Sequence, residues 1–344
     1  MPDKLMQDPR VDPRIKAIFG HFPTPPSAGD AASREQLLEE QQSEAARDGI
    51  AQMAAIFGPV DNEETAPSKG LAISTLEFTS RPDGNRIKVL FTRPDNAETL
   101  ACVAYLHGGG MTSLSAFDGQ YRAWARMLAA EGVAVAMIDF RNALQASSAP
   151  EVAPFPAGLN DCVSGVKWLH ANAASLGVDA ARIVVAGESG GGNLTLAAGL
   201  KLKREGQLHL IKGLYALCPY IAGLWPQAQY PSSQENFGLF ADLHNNRAAM
   251  AYGIEAFNDK NPLAWPAFAS DEDLKGFPPT VISVNECDPL RDEGVAFYRR
   301  LLAAGASARC RQVMGTLHAT EIFALACPEI SRDTASHLAR FAAL

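Results

Sequence analysis

Four short pieces of this chain carry residue types that can do nucleophilic chemistry. The first is GESGGGN, residues 187–193, which sets Ser189 among four glycines. The apolar run VVA precedes it and the helix-compatible run LTLAAGLKLK follows, so Ser189 is expected on a tight strand-to-helix reversal, displayed and not packed. The spacing is G-x-S-x-G, in which small flanking residues permit a strained turn that lifts the hydroxyl clear of a sheet. Glycines could instead simply close a turn, or cradle a phosphate at a helix N-terminus. The phosphate reading is the weaker one, because no Lys-Ser/Thr pair follows and the spacing fits neither a P-loop nor GxGxxG.

The other three pieces also stand just after apolar runs: HGGG (residues 107–110) after VAYL, Asp288 after VISVNEC, and His318 after RQVMG. A serine hydroxyl is a poor nucleophile until an imidazole takes its proton during attack on an acyl carbon, and His318 is the expected base. A carboxylate on the other ring nitrogen, Asp288, would fix the tautomer and stabilise the imidazolium. The tetrahedral intermediate carries an oxyanion, and each fixed N–H donor to it is worth roughly 3–4 kcal/mol. Gly108 and Gly109, with the N–H of Gly190, are the expected donors. The order Ser, Asp, His is one of the known orders for such a triad.

Each choice has competitors. Of seven histidines, His318 is preferred because it follows the last expected strand, while His107 is expected to brace the glycine loop through the backbone. Asp292 and Glu293 compete with Asp288, but acids in a first helical turn favour the helix dipole, and Asp288 sits at the strand exit before Pro289. Cys287 ends an apolar run and reads as packing. The six cysteines are scattered, with no CxxC and no ligand-like Cys/His cluster, and read as reduced core residues.

Such groups need elements to position them. From Leu71 the chain reads as strand, PDGN turn and strand; then ACVAYLH, VAVAMIDF, RIVVAGE, IKGLYALCP, TVISVNECD and ARCRQVMG alternate with amphipathic helices. Near-continuous apolar strands separated by helices imply an α/β chain with a mostly parallel sheet of about eight strands, the first pair antiparallel, and helices on both faces. Ligands bind at the carboxyl ends of strands in such sheets, where all four pieces lie. Residues 1–65, helix-like and rich in Gln, Glu and Ala, and residues 220–262, aromatic and irregular, fit no sheet layer and are expected to form a lid. Phe22, Phe237, Phe240 and Tyr252 within them are expected to line a substrate pocket.

The 344 residues, 47% of them hydrophobic, can bury a sizeable core, and a net charge of −8 argues against a nucleic-acid partner. The charged, proline-bearing N-terminus has no apolar leader, and no run approaches the roughly 18 apolar residues of a membrane span. A cytoplasmic protein without a stable membrane anchor is expected.

With these motifs in hand, the sequence resembles the hormone-sensitive lipase family of α/β-hydrolases, the HGGG-type esterases. YLHGGGM, DFRNA followed by PFPAGLNDC, GESGGGN, NPLAWP, LKGFPPTVISVNECDPLRDEG and LHA occur in the family's order from about Leu71 onward. The resemblance implies an α/β-hydrolase fold with an eight-stranded sheet and a helical cap made of residues 1–65 and 220–262 around a core of residues 66–219 and 263–344. It also implies carboxylesterase activity on short-chain acyl esters without a cofactor or metal, with the triad Ser189, Asp288, His318 and the hole Gly108, Gly109, Gly190. A small-molecule ester is the expected partner, and a homodimer is left open. The chain departs from the family at Glu188, at Gly190 and in DFRNALQASSAPEVAPFPA. Relatives that lost the histidine and became receptors supply the alternative, a non-catalytic small-molecule-binding protein.

Overall fold

A computed structural model describes residues 4–20, 28–96, 98–239 and 243–344. Eight strands form one sheet in the order β1-β2-β4-β3-β5-β6-β7-β8. They are β1 Leu71–Thr79, β2 Arg86–Pro94, β3 Leu100–Leu106, β4 Ala134–Ile138, β5 Val178–Glu188, β6 Gly213–Leu217, β7 Thr280–Asn285 and β8 Ala308–Val313. Only β2 runs against its neighbours, antiparallel to both β1 and β4; every pairing from β4 to β8 is parallel. The expected hairpin, sheet and strand count are therefore all present.

The central strands are apolar on both sides because both faces are covered. In β5, Ile183 and Val185 join one buried cluster with Leu159, Leu196 and Leu214, while Val184 and Ala186 join another with Trp124, Tyr215 and Leu338. Period-two alternation thus feeds two cores. The helices Ala157–Ala171, Gly190–Arg204 and Arg291–Ala303 cover the first face, and Gly119–Ala130 and Pro328–Ala343 the second. The Gly190–Arg204 helix stops at Gly206, whose φ of 69° lets the chain turn back, with Lys201, Lys203 and Arg204 suited to the negative end of its dipole.

The segments outside the sheet pack in two ways. Leu5, Val11, Ile15 and Phe19 are buried in the second core, and Asp12 N–H donates to the Gly315 carbonyl at 2.9 Å. Further along, the short helices Arg34–Glu40 and Arg247–Tyr252 meet: Ala31 and Asn246 exchange bonds of 2.8 and 3.0 Å, and Arg247 pairs with Glu40. Lys4 Nζ also donates to the carbonyls of Glu235 and Phe237 at 2.9 and 2.7 Å. Among the described residues, no helix is long and apolar enough to cross a membrane.

Candidate active site

Ser189 has φ 55° and ψ −117°, a conformation that a residue with a Cβ rarely adopts. The surrounding glycines explain how it is held. A Cβ on Gly191 would lie 1.9 Å from the Leu106 carbonyl oxygen, and one on Gly187 would lie 2.4 Å from the same atom. Strand β3 therefore presses directly on the turn. Ser189 N–H donates to the Leu217 carbonyl and its own carbonyl accepts from Tyr220 N–H, both at 3.0 Å, so the turn is tied to β6 as well.

The side chains of the three expected triad residues meet. His318 Nδ1 donates to Asp288 Oδ2 at 2.8 Å, which leaves Nε2 to accept from the Ser189 hydroxyl at 2.9 Å. Asp288 is fully buried, and its second oxygen accepts from Leu290 N–H at 2.9 Å, which fixes the carboxylate's plane. Burial depresses the proton affinity of His318, but the charge and hydrogen bond of Asp288, with the charge of Glu188, outweigh it and hold the imidazole pKa above its usual value.

The competing acids hold the insertion. Asp292 accepts from Ser232 N–H at 2.7 Å, and Ser232 Oγ accepts in return from Asp292 N–H at 3.0 Å. Glu293, fully buried, accepts from Ile221 and Ala222 N–H at 2.6 and 3.1 Å and from Trp225 Nε1 at 2.6 Å. Burial nevertheless pushes its carboxyl up to about 8. Asn193, four residues past the nucleophile, donates to the carbonyls of both Tyr220 and Ala264, at 2.8 and 2.9 Å. Nothing in the residue pattern marks these roles, since the insertion has no periodicity to read.

In the glycine loop Gly108, expected in the oxyanion hole, donates its N–H to Glu188 Oε1 at 2.6 Å. No described residue accepts from the N–H of Gly109, Gly110 or Gly190. The nitrogen of Gly110 lies 2.8 Å from where a Gly190 Cβ would stand, so those two backbones run side by side. Positive φ at Gly109 (87°) and Gly110 (62°) turns the loop there. His107 braces it as expected, its Nδ1 donating to the Gly108 carbonyl at 3.1 Å and its ring stacked on Phe140 with centroids 4.1 Å apart.

A cavity of about 840 Å³ opens beside Gly109, lined by Ile50, Met53, Phe57, Leu114 and Phe117 among others. A smaller one of about 270 Å³ reaches Tyr220, and Gln41 borders both. Phe237 lies elsewhere, stacked on the His244 ring at 4.0 Å, and Tyr252 is buried against Phe155 and Trp265; neither lines these two cavities. Phe22 and Phe240 lie outside the described residues. The described residues offer one grouping close enough to share a metal ion, Cys218, Asp288 and His318, with ligand atoms within 4.8 Å of one another. Asp288 and His318 are already bonded to each other within it.

Residues 103–322 match the family described as alpha/beta hydrolase fold. The chain belongs to that family. It is similar to esterase Est22, with 61% identity over 100% of this chain and 99% of that one and a TM-score of 0.98. It is also similar to brefeldin A esterase, a bacterial homologue of human hormone-sensitive lipase, with 36% identity over 98% and 95% of the two chains and a TM-score of 0.87. Carboxylesterase NlhH of Mycobacterium tuberculosis is 28% identical over 98% of each chain. This α/β-hydrolase is a serine carboxylesterase of the hormone-sensitive lipase type.

Proposed function

We propose that this esterase hydrolyses short-chain acyl esters through an acyl-enzyme carried on Ser189. The observation that carries the reading is the unbroken hydrogen-bonded line from Asp288 through His318 to the Ser189 hydroxyl, at 2.8 and 2.9 Å. As Oγ attacks the acyl carbon, Nε2 of His318 takes its proton, and Asp288 stabilises the imidazolium without itself being protonated. The oxyanion accepts from the N–H groups of Gly109, Gly110 and Gly190, at the positive end of the Gly190–Arg204 helix dipole. Collapse expels the alcohol, which takes the proton from His318, and water repeats the sequence to release the acid.

The apolar cavity beside Gly109 supports a small acyl or alcohol group, since methylenes stabilise binding by about 0.8 kcal/mol each only while there is room to bury them. Residues 1–65 and 220–262 serve as two parts of a cap, a reading supported by the pairing of Ala31 with Asn246 and of Glu40 with Arg247. Six free cysteines suit a reducing compartment, the cytoplasm. No observation favours the non-catalytic binding alternative.

The test is p-nitrophenyl acetate turnover, with fluorophosphonate labelling traced by mass spectrometry. Wild-type protein is expected to turn over and to carry one adduct, on Ser189, and Ser189→Ala to lose activity by orders of magnitude while keeping its circular dichroism. An unchanged rate in that variant, or an adduct on another serine, overturns the assignment.

A further inference from the structure

Glu188 occupies an unusual place for an acid. It precedes the nucleophile, is 1% exposed, and forms no salt bridge with any described Lys or Arg. Its carboxylate instead gathers three uncharged donors: Tyr105 OH at 2.7 Å on Oε2, and Tyr121 OH at 2.5 Å and Gly108 N–H at 2.6 Å on Oε1. Tyr121 OH also accepts from Gly108 N–H at 3.0 Å, so the two side chains share that donor. A Cβ on Gly108 would stand 2.4 Å from Oε1, which shows how closely the loop backbone is drawn down onto the acid.

From this geometry we infer that Glu188 is a positioning residue: it pins the glycine loop through Gly108 so that the next two N–H groups face the nucleophile. The inference rests on the oxyanion-hole reading above. A carboxylate is suited to that task because it accepts at several lone pairs at once, whereas a hydroxyl or amide placed there would have to offer a proton to one of three donors. Pinning Gly108 leaves Gly109 and Gly110 free to turn, and a preorganised donor needs no reorganisation when the oxyanion forms.

One variant tests this, read on full-length protein with wild-type circular dichroism. Glu188→Asp keeps the charge but is one methylene shorter and cannot hold Gly108; it is expected to lose about 10- to 100-fold in kcat on p-nitrophenyl acetate with KM within about three-fold. Fluorophosphonate labelling of Ser189 should slow in step with kcat in Glu188→Asp, because phosphonylation also builds charge on an oxygen in the hole. A kcat within three-fold of wild type in Glu188→Asp overturns the positioning role. If that variant does not fold, Tyr121→Phe decides: it removes the hydroxyl shared by Gly108 and Glu188, and a loss of about three-fold or more in kcat is expected, while no loss overturns the inference. Failure of the esterase reading would look different, since the wild-type chain would then neither turn over nor label.

Discussion

His318 accepts from the Ser189 hydroxyl at 2.9 Å although the two stand 129 positions apart in the chain. The two side chains leave β5 and β8, with β6 and β7 standing between those strands, so the bond is made across the carboxyl edge of the sheet and not between neighbours. The loop after β7 carries the third member into the gap.

That arrangement assigns different work to three nearby acids. Asp288→Asn is expected to lower kcat by up to about 10⁴ with little change in KM, because an amide selects the wrong imidazole tautomer. Asp292→Asn weakens the exchange with Ser232 and the ion pair with Arg291, and should cost about 1–2 kcal/mol of stability while changing kcat less than ten-fold. Steady-state kinetics beside urea denaturation checks both, and equal kinetic damage from Asp292→Asn would reverse the assignment.

Only neutral imidazole can take the serine proton, so kcat/KM should rise as pH passes upward through the His318 pKa. Because that value is held above the ordinary imidazole range, the midpoint is expected above about 6.5. A pH profile of p-nitrophenyl acetate hydrolysis reads it, and a profile flat from pH 5 to 8 would remove His318 from the role of base.

Gly191 is expected to tolerate nothing larger. Its Cβ would stand 1.9 Å from one carbonyl oxygen and 2.6 Å from the next, so Gly191→Ala must shift β3 or the elbow and should destabilise by more than about 2 kcal/mol. Thermal and urea melts measure this; a wild-type midpoint would mean that the backbone gives way without penalty.

Burial leaves Glu293 with a raised pKa of about 8, so the folded state holds its proton more tightly than the unfolded chain. Its contribution is full below the unfolded carboxyl value of about 4.3 and fades as pH rises through 8. Melting temperature should therefore fall from pH 5 to 9 in the wild type, and fall less steeply in Glu293→Gln. Parallel slopes would place the pH dependence elsewhere.

Acyl-chain preference should follow the walls beside Gly109. Met53, 44% exposed, borders that cavity, and Met53→Trp is expected to shorten it and to move the peak of kcat/KM over acetyl to octanoyl p-nitrophenyl esters toward shorter chains. This is a cleaner probe than deleting residues 1–40, which would also strip Ile15 and Phe19 from the core. An unchanged profile would place the acyl group away from Met53.

Much of this was legible in the residues. Central strands announce themselves as apolar runs because both faces are buried, and Ser189, Asp288 and His318 each stand just past such a run. What was hidden is what depends on three-dimensional direction. The Gly108 N–H is engaged by the Glu188 carboxylate, and nothing in a run of neighbouring glycines marks which of them is so held. Strand β5 begins at Val178, before the expected RIVVAGE, because Leu100 pairs there across an irregularity in register that DAAR does not reveal. The roles of Asn193 and Glu293 depend on where an aperiodic insertion comes to rest.

Asn193 has a consequence for how this molecule can change. One amide bonds the carbonyls of Tyr220 and Ala264, the two feet of the insertion, and it does so on the same helix that begins at the nucleophile. The insertion is therefore an excursion closed at its base, and the closure entropy of such an excursion grows only slowly with length, by about 0.6 kcal/mol for each doubling. Residues can be added or lost at its far end while the distance between its feet stays fixed and Ser189 feels no pull. This part of the chain is thus free to drift in length and composition, and the chemistry beneath it keeps the same address.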